Sequence, residues 1–288
     1  MPAETEEPIE QHVRLAEQQI QLLATEFHAW RQGEGRPRAC PVSSLKRIET
    51  FLHMMASGGF YRQIGFSVGL AKSTVIAYTH EVARFLYSSS PNRISLPQDQ
   101  EFDDLAQQLR TVDGRVLRVI MFLDGEIVKI QRPDRAGDAY FCGRHGKSCD
   151  SLNVQLVVDK HGCVRHVVSG IPGSTHDKTA IEWSRQFMAY LDTLPEDVAI
   201  LGDPAYRNVH PRVVCTFVGN NLPQEQLQFN LQCTRLRQIV ERSIGATELK
   251  WRISQLKENR FPAKYGPLFP SQCMIGICVL HNRFTNFL

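Results

Sequence analysis

The sequence lacks the features that most readily assign a protein to a class. Its eight cysteines form no Cys-x-x-Cys pair, which argues against a zinc ribbon or zinc finger. No apolar run approaches the length that spans a bilayer, and the acidic segment from Met1 to Glu7 is unlike a signal or transit peptide. The net charge is only +3, so a nucleic-acid surface would have to be a local patch. We therefore expect a soluble protein of the nucleus or cytosol, without a membrane partner.

One cysteine-containing segment leaves an alternative open. Cys142 and Cys149 enclose a short stretch that includes His145, and the three side chains could form a zinc clip. No second pair has ligand spacing. Buried, reduced thiols in an intracellular protein are therefore the better interpretation of the cysteines.

The overall composition is ordinary for a globular protein. The chain has 288 residues, of which 42% are apolar and 22% charged. This length suits one large and one small domain, and it is enough to bury a core. Residues 1–42 are predicted to be an N-terminal helical and loop extension, with a helical pattern in 1–30 and a positively charged loop at 31–41.

The region 43–102 is predicted to be a small all-α unit followed by a linker. Its predicted helices run from the capping pair Ser43 and Ser44 to about residue 56, from 61 to 68, and from 73 to 86. A short helix, a glycine turn at Gly69 and a longer helix make up a helix-turn-helix layout. Lys72, Ser73 and Thr74 open the longer helix, at the end that would meet DNA bases or phosphates. The alternative is a helical hairpin that only packs on the larger domain.

Beyond residue 102 the pattern alternates between strands and helices. Predicted strands lie at 117–124, 126–131, 152–159, 163–169, 197–203 and 213–218, and predicted helices at 177–191 and 235–257. Adjacent strands followed by strands interleaved with helices indicate an α/β fold, in which a mixed sheet is covered by helices.

Two aspartates stand where apolar, strand-like runs end. Asp124 follows the run 119–123, and Asp203 follows the run 198–202. Packing explains a carboxylate at such a position poorly, although each could be a simple turn aspartate. We expect the backbone to leave the sheet at Asp124. Arg207, shortly after Asp203, could contact a phosphate.

Two further acids accompany this pair. Glu241 lies in the middle of a basic helix, near Arg237 and Arg242, which would suit phosphate contact, although a glutamate there is often an ion-pair partner. Asp177 follows the turn 172–176 and could equally favour the first turn of a helix. Four converging carboxylates would hold Mg²⁺ or Mn²⁺, which prefer oxygen ligands, as in metal-assisted phosphodiester chemistry.

Motifs around these acids, in a fixed order, give the chain a family resemblance. They are Phe122-Leu123-Asp124-Gly125, Pro172-Gly173-Ser174-Thr175-His176-Asp177, Leu201-Gly202-Asp203-Pro204-Ala205-Tyr206, the helix segment with Asn230, Arg237, Val240-Glu241-Arg242 and Gly245, and the closing Val279-Leu280-His281-Asn282. From about residue 43 to the end, the chain resembles the PIF/Harbinger transposases and their transposase-derived nuclease relatives in the DDE endonuclease superfamily.

The resemblance implies a fold and a function. It implies an RNase H-like nuclease domain at 103–288, in which Asp124, Asp203 and Glu241 form the catalytic DDE triad and Asp177 is an additional metal-site acid. It further implies a divalent metal cofactor (Mg²⁺ or Mn²⁺), DNA as the partner, a Myb-like DNA-binding protein as a second partner, and a nuclear location. A homo-oligomer is left open.

The sequence departs from the family pattern in two places, and it leaves two rival functions open. Glu126 stands where the family commonly has threonine and adds a carboxylate near the expected metal site, and the segment 246–252 looks slightly extended. One rival is a domesticated, catalytically silent nuclear factor that binds DNA or protein. Another is a metal-dependent phosphatase or hydrolase. The sequence lacks the His-rich metal motifs expected of such an enzyme, which would also leave the helix-turn-helix without a purpose.

Overall fold

Helices form the first part of the fold. The computed structural model describes residues 14–35, 43–135, 137–143, 148–254, 261–263 and 266–285. The first helices are α1 (Glu17–Gly33), α2 (Ser44–Ser57), α3 (Tyr61–Val68) and α4 (Lys72–Ser89). Ser43 caps α2 by accepting a hydrogen bond from the Lys46 N–H at 3.1 Å. Gly58 and Gly69 end α2 and α3 in the left-handed region, with φ of 67° and 69°. The helices predicted within 43–102 are therefore confirmed.

A mixed sheet follows, with helices between and after its strands. The elements are α5 (Phe102–Leu105), β1 (Gln107–Arg110), β2 (Val116–Lys129), α6 (Gly137–Tyr140), β3 (Phe141–Cys142), β4 (Cys149–Val158), β5 (Val164–Pro172), α7 (Asp177–Glu182), α8 (Arg185–Thr193), β6 (Val198–Gly202), β7 (Val213–Cys215), α9 (Gln224–Lys250) and α10 (Leu268–Phe284). The strand order is β3-β4-β2-β6-β7, with β1 also paired to β2 and β5 to β4. β2 is antiparallel to β1 and β4 but parallel to β6, which is parallel to β7. The predicted mixed α/β architecture is confirmed, and it is consistent with an RNase H-like fold.

The main correction concerns the strand that carries Asp124. The sequence predicts two strands, 117–124 and 126–131, with the backbone leaving the sheet between them. Instead β2 is continuous, and Asp124 is paired with β4. The reason is that β4 continues beside β2 past this point, whereas β6, on the other edge, ends at the pair Leu123 and Gly202. At Asp124, β2 therefore loses its neighbour β6 on one side and keeps its neighbour β4 on the other.

Two helix boundaries also differ from the prediction. The predicted helix 177–191 is two helices, α7 and α8, because Ser184 starts a new helix by accepting a hydrogen bond from the Phe187 N–H at 3.4 Å. The helix predicted at 235–257 is α9, which begins earlier, after Pro223, and ends at Lys250. Its first turns have apolar residues at alternating positions (Leu227, Phe229 and Leu231), which is a strand-like and not a helical period. Strands β1 and β3 and helices α5, α6 and α10 were not predicted.

The helical part and the sheet share a core. One hydrophobic cluster contains Phe27 of α1, Phe51 of α2, Phe122 of β2 and Ile277 of α10. A second cluster is built on other strand positions, such as Ile120, together with α8. Helices α1 to α4 are thus held against the sheet through α10. Within the described ranges, no helix has the length and apolar character needed to cross a bilayer.

Candidate active site

The end of β6 places two of the predicted acids next to each other. Leu123 of β2 pairs with Gly202 of β6, and the two strands are parallel. The following residue is Asp124 in one strand and Asp203 in the other. Neighbouring strands lie about 4.8 Å apart, so the two carboxylates lie close together at the end of β6. The registration of two strands thus brings together residues far apart in the sequence.

Helix α9 covers this edge and encloses a pocket. The pocket has a volume of about 450 Å³. Its acidic lining residues are Asp124, Glu126, Asp177, Asp203, Glu241 and Glu248. Glu248 was not predicted to belong to the site. It lies two helical turns after Glu241, and this i, i+7 spacing places both side chains on the same face of α9. All four predicted acids therefore face one pocket, and two more carboxylates increase its negative charge.

Asp124 is held by two donors and lies among like charges. Its Oδ1 accepts a hydrogen bond from the Gly125 N–H at 2.8 Å, and its Oδ2 accepts one from Arg237 Nη2 at 3.1 Å. Burial raises the pKa of Asp124; the Arg237 guanidinium opposes this rise, whereas the Asp203 and Glu241 carboxylates add to it. Arg237, predicted to contact DNA, is therefore engaged with an acid of the pocket.

Asp177 is fixed from a different part of the sheet. Its Oδ1 accepts hydrogen bonds from Asn153 Nδ2 at 2.8 Å and from Gln155 Nε2 at 3.2 Å, both on β4. A Cβ added to Gly125 would lie 2.7 Å from Gln155 Nε2 and 3.0 Å from Asp177 Oδ1. Glycine therefore follows Asp124 because a side chain there would collide with these groups. In the sequence, the feature that could have identified Asn153 and Gln155 is the presence of two amide side chains within an apolar strand pattern.

Asp203 and Glu241 complete the placement of the predicted acids. Asp203 Oδ1 accepts a hydrogen bond from the Ala205 N–H at 2.8 Å, which starts a short turn ending in the buried Tyr206. The same burial raises the pKa of Tyr206 well above its ordinary value, and the carboxylates of Asp177, Asp124 and Asp203 raise it further. Glu241 is exposed and lies in the middle of α9.

The remaining predicted contacts to DNA lie outside the lining of this pocket. Arg207 is exposed and donates from Nη2 to the Thr216 carbonyl at 2.6 Å, and Arg242 is exposed and donates from Nε to the Gln238 carbonyl at 3.2 Å. Lys72 and Ser73 are exposed at the start of α4, with Thr74 partly exposed beside them. Their role in binding DNA stays a prediction.

Two asparagines of the motifs have structural contacts. Asn230 on α9 accepts from the Phe217 N–H at 2.8 Å and donates to the Phe217 carbonyl at 2.9 Å, which ties α9 to the chain after β7. Asn282 on α10 bonds in the same way to both backbone groups of Val164, at 2.7 Å each. Cys142 and Cys149 are buried cross-strand neighbours, and His145 of the zinc-clip alternative lies outside the described residues.

The donor set of the pocket suits a hard divalent cation. The potential ligands are carboxylate oxygens, as Mg²⁺ and Mn²⁺ prefer. Among the residues the structure describes, no three His, Cys, Asp or Glu side chains are close enough together to hold one ion. The backbone thus brings suitable ligands to one pocket, and ligation would require their side chains to move inward.

Comparisons with known proteins yield several relatives. "Putative nuclease HARBI1" of Rattus norvegicus is 24% identical over 249 residues, which cover 85% of this chain and 68% of that protein. The protein of the same name from Xenopus laevis is 22% identical over 246 residues, which cover 85% and 69%. "Probable transposase for insertion sequence element IS702" of Microchaete diplosiphon is 25% identical over 187 residues, which cover 63% of this chain and 61% of that protein.

A family model gives the assignment. The model described as DDE superfamily endonuclease matches residues 123–282, more than half of the chain. The match begins just before Asp124 and ends at Asn282, so it contains all four predicted acids and the closing motif. The resemblance to Harbinger transposase-derived nucleases is confirmed, and the chain belongs to the family of DDE superfamily endonucleases.

Proposed function

We propose that this protein is a divalent-metal-dependent DNA endonuclease, similar to a transposase, that cleaves phosphodiester bonds in an RNase H-like domain. The observation that carries the proposal is the strand pairing of Leu123 with Gly202, which sets Asp124 and Asp203 side by side in a pocket also lined by Glu241. These three acids are the proposed catalytic triad. Asp177 is the proposed additional metal ligand.

In this proposal, four acids of the pocket bind the metal ion and Arg237 favours the ionised form of one of them. Bound Mg²⁺ or Mn²⁺ would polarise the scissile phosphate and lower the pKa of an attacking water or 3′-OH. Asp124, Asp203, Glu241 and Asp177 would hold the ion through their carboxylate oxygens. Arg237 opposes the effect of burial on Asp124 and so favours the ionised form that can act as a ligand.

DNA binding is proposed for two surfaces. Lys72, Ser73 and Thr74 lie at the exposed start of α4, where a recognition helix would meet DNA. Arg207 and Arg242, both exposed, would contact phosphates beside the pocket. Such binding weakens with salt because counterions are released from the phosphates. We further propose a nuclear location and assistance by a Myb-like protein, and we leave a homo-oligomer as an outcome to be measured.

Nicking of supercoiled plasmid DNA tests this function. The wild-type protein should convert supercoiled to open-circular DNA with Mn²⁺ or Mg²⁺ but not with EDTA, and Glu241→Gln should remove the conversion. Glu225→Gln is the matched control, because Glu225 is an exposed glutamate in the first turn of the same helix. Equal nicking by wild type and Glu241→Gln would exclude Glu241 from the site.

A catalytically silent DNA- or protein-binding factor is the second candidate. It is favoured by one observation: within the described residues, the pocket acids do not converge into a ligand group. DNA binding without nicking, in any divalent metal and with a Myb-like partner added, would support this second function and reject the first.

A further inference from the structure

A buried amide in the middle of β4 connects two separate acid-bearing segments. Gln155 is 0% exposed. Its Oε1 accepts a hydrogen bond from the Tyr206 hydroxyl at 2.6 Å, and its Nε2 donates to Asp177 Oδ1 at 3.2 Å. Tyr206 ends the short turn that begins at Asp203. One side chain therefore contacts both the segment after Asp203 and the segment that carries Asp177.

A second buried amide supports the first. Asn153, also 0% exposed, accepts from Gln155 Nε2 at 2.5 Å and donates from its own Nδ2 to Asp177 Oδ1 at 2.8 Å and to the Thr175 carbonyl at 2.9 Å. Burying two amides in a central strand is unfavourable unless their donors and acceptors are satisfied, and an apolar pair would fill the same space without that requirement. Packing alone does not explain this pair.

The hydrogen bonds to Asp177 use only one of its two carboxylate oxygens. Both amides donate to Oδ1 of Asp177, so Oδ2 is the oxygen left for a cation in the pocket. The connection passes directly across Gly125, where a Cβ would lie 2.7 Å from Gln155 Nε2. Asp177, Gln155 and Tyr206 thus form a rigid link behind the residue that follows Asp124.

We propose that Gln155 is a positioning residue: it holds Asp177 and the Asp203–Tyr206 turn in a fixed relation, so that metal binding at Asp177 depends on Gln155. The metal part of this inference rests on the proposed function. The structural part, that the two segments are coupled through Gln155, can be tested without metal.

The first test is a double-mutant cycle on Mn²⁺ affinity, measured by calorimetry. Gln155→Met keeps the volume of the side chain but removes its hydrogen bonds, and it should weaken Mn²⁺ binding by about 10-fold, as expected for a residue that supports a ligand. In an Asp177→Asn background the same change should alter the affinity by less than about 2-fold, because the ligand it supports is already gone. An undiminished effect in that background would show that Gln155 does not act through Asp177.

The second test needs no metal and spares the buried amides. Tyr206→Phe removes only the hydroxyl that bonds to Gln155. Hydrogen exchange of the backbone amides should speed up severalfold in residues 173–178 as well as beside residue 206. Tyr190→Phe is the matched control, because the Tyr190 hydroxyl is buried and hydrogen-bonds to none of the described residues. Unchanged exchange in 173–178 would overturn the coupling.

The two tests separate the failure of each proposal. If the wild-type protein binds no Mn²⁺ while Tyr206→Phe still loosens residues 173–178, the metal-dependent function is rejected and the coupling stands. If Mn²⁺ binds and neither variant affects Asp177, the function stands and the role of Gln155 is rejected.

Discussion

The helical region and the acidic pocket both place arginine against a carboxylate removed from water, but in opposite proportions. In the helical region, Glu81 of α4 is contacted by Arg31 of α1 at 3.1 Å and by Arg47 of α2, and the Glu81 side chain is 5% exposed. In the pocket, Arg237 contacts Asp124 at 3.1 Å, and several further carboxylates line the same space. Among the described residues, two arginines thus contact one carboxylate in the first region, whereas one arginine contacts one of several carboxylates in the second.

The difference separates a cluster that joins helices from a pocket in which like charges lie together. The buried Glu81 carboxylate has two guanidinium partners and joins three helices. Several carboxylates in one pocket repel one another, and a bound cation would reduce that repulsion. The same pair of residue types therefore connects helices in one place and lies among like charges in the other.

The largest expected effect is on stability in the helical region. Glu81→Gln removes the anion that Arg31 and Arg47 share, and breaking a buried ion pair costs about 3–5 kcal/mol. Urea unfolding should detect this loss. Glu49→Gln, which removes a carboxylate that lies 4.0 Å from the half-exposed Lys46 on α2, should cost less than about 1 kcal/mol. Equal losses for the two variants would remove the contrast between a closely paired, buried carboxylate and a loosely paired, partly buried one.

The next effect is on cleavage and leaves stability almost unchanged. Asp203→Asn keeps the side-chain oxygen that accepts from the Ala205 N–H but removes a ligand charge. Nicking should fall by at least about 100-fold, the upper range for residues that only support a ligand. The melting temperature should stay equal or rise, because repulsion within the pocket is reduced. Wild-type nicking by this variant would disprove the triad, and a large loss of stability would place Asp203 with Glu81 as a structural group.

A smaller effect is expected when the arginine that contacts Asp124 is removed. Arg237→Gln leaves Asp124 among like charges, so Mn²⁺ should bind more tightly by a few-fold, about 1 kcal/mol. Calorimetric titration measures this change. Arg242→Gln, an exposed arginine on the same helix, should leave the affinity within about 2-fold of wild type. Weaker Mn²⁺ binding by Arg237→Gln would mean that keeping Asp124 ionised and oriented matters more than the repulsion between Arg237 and the ion.

The effect that is smallest at neutral pH concerns a histidine outside both regions. Burial lowers the pKa of His166 to about 4, and the ring stacks on Phe187 and bonds to Ser184 Oγ at 2.8 Å. The unfolded chain takes up this proton near pH 6.5, so the folded state loses stability as the pH falls from about 6.5 towards 4. The slope of the unfolding free energy against pH reports the extra protons bound by the unfolded chain, and His166→Gln should lower that number by up to one in this window. An unchanged slope would show that His166 is protonated while folded.

Much of the fold was accessible from local patterns. The predicted helices at 61–68 and 73–86 agree with α3 and α4, and the strands predicted at 152–159 and 197–203 agree with β4 and β6. Asp124 shows where local patterns fail: Gly125 suggested a break, but the neighbouring strand β4 extends β2 through it. Strand continuity there depends on a partner that lies some thirty positions away in the sequence.

The sequence by itself determined the alternation of strands and helices beyond residue 102, apart from elements such as β1 and α10, and identified four acids whose positions packing explains poorly. These are local properties, because apolar periodicity and turn residues act within a few positions of the chain. Only the tertiary structure decided that Arg237 contacts Asp124, that Glu248 joins the pocket, and that Gln155 connects Asp177 to Tyr206. Each of these contacts depends on how separate strands and helices are registered against one another, and no short stretch of sequence contains that information.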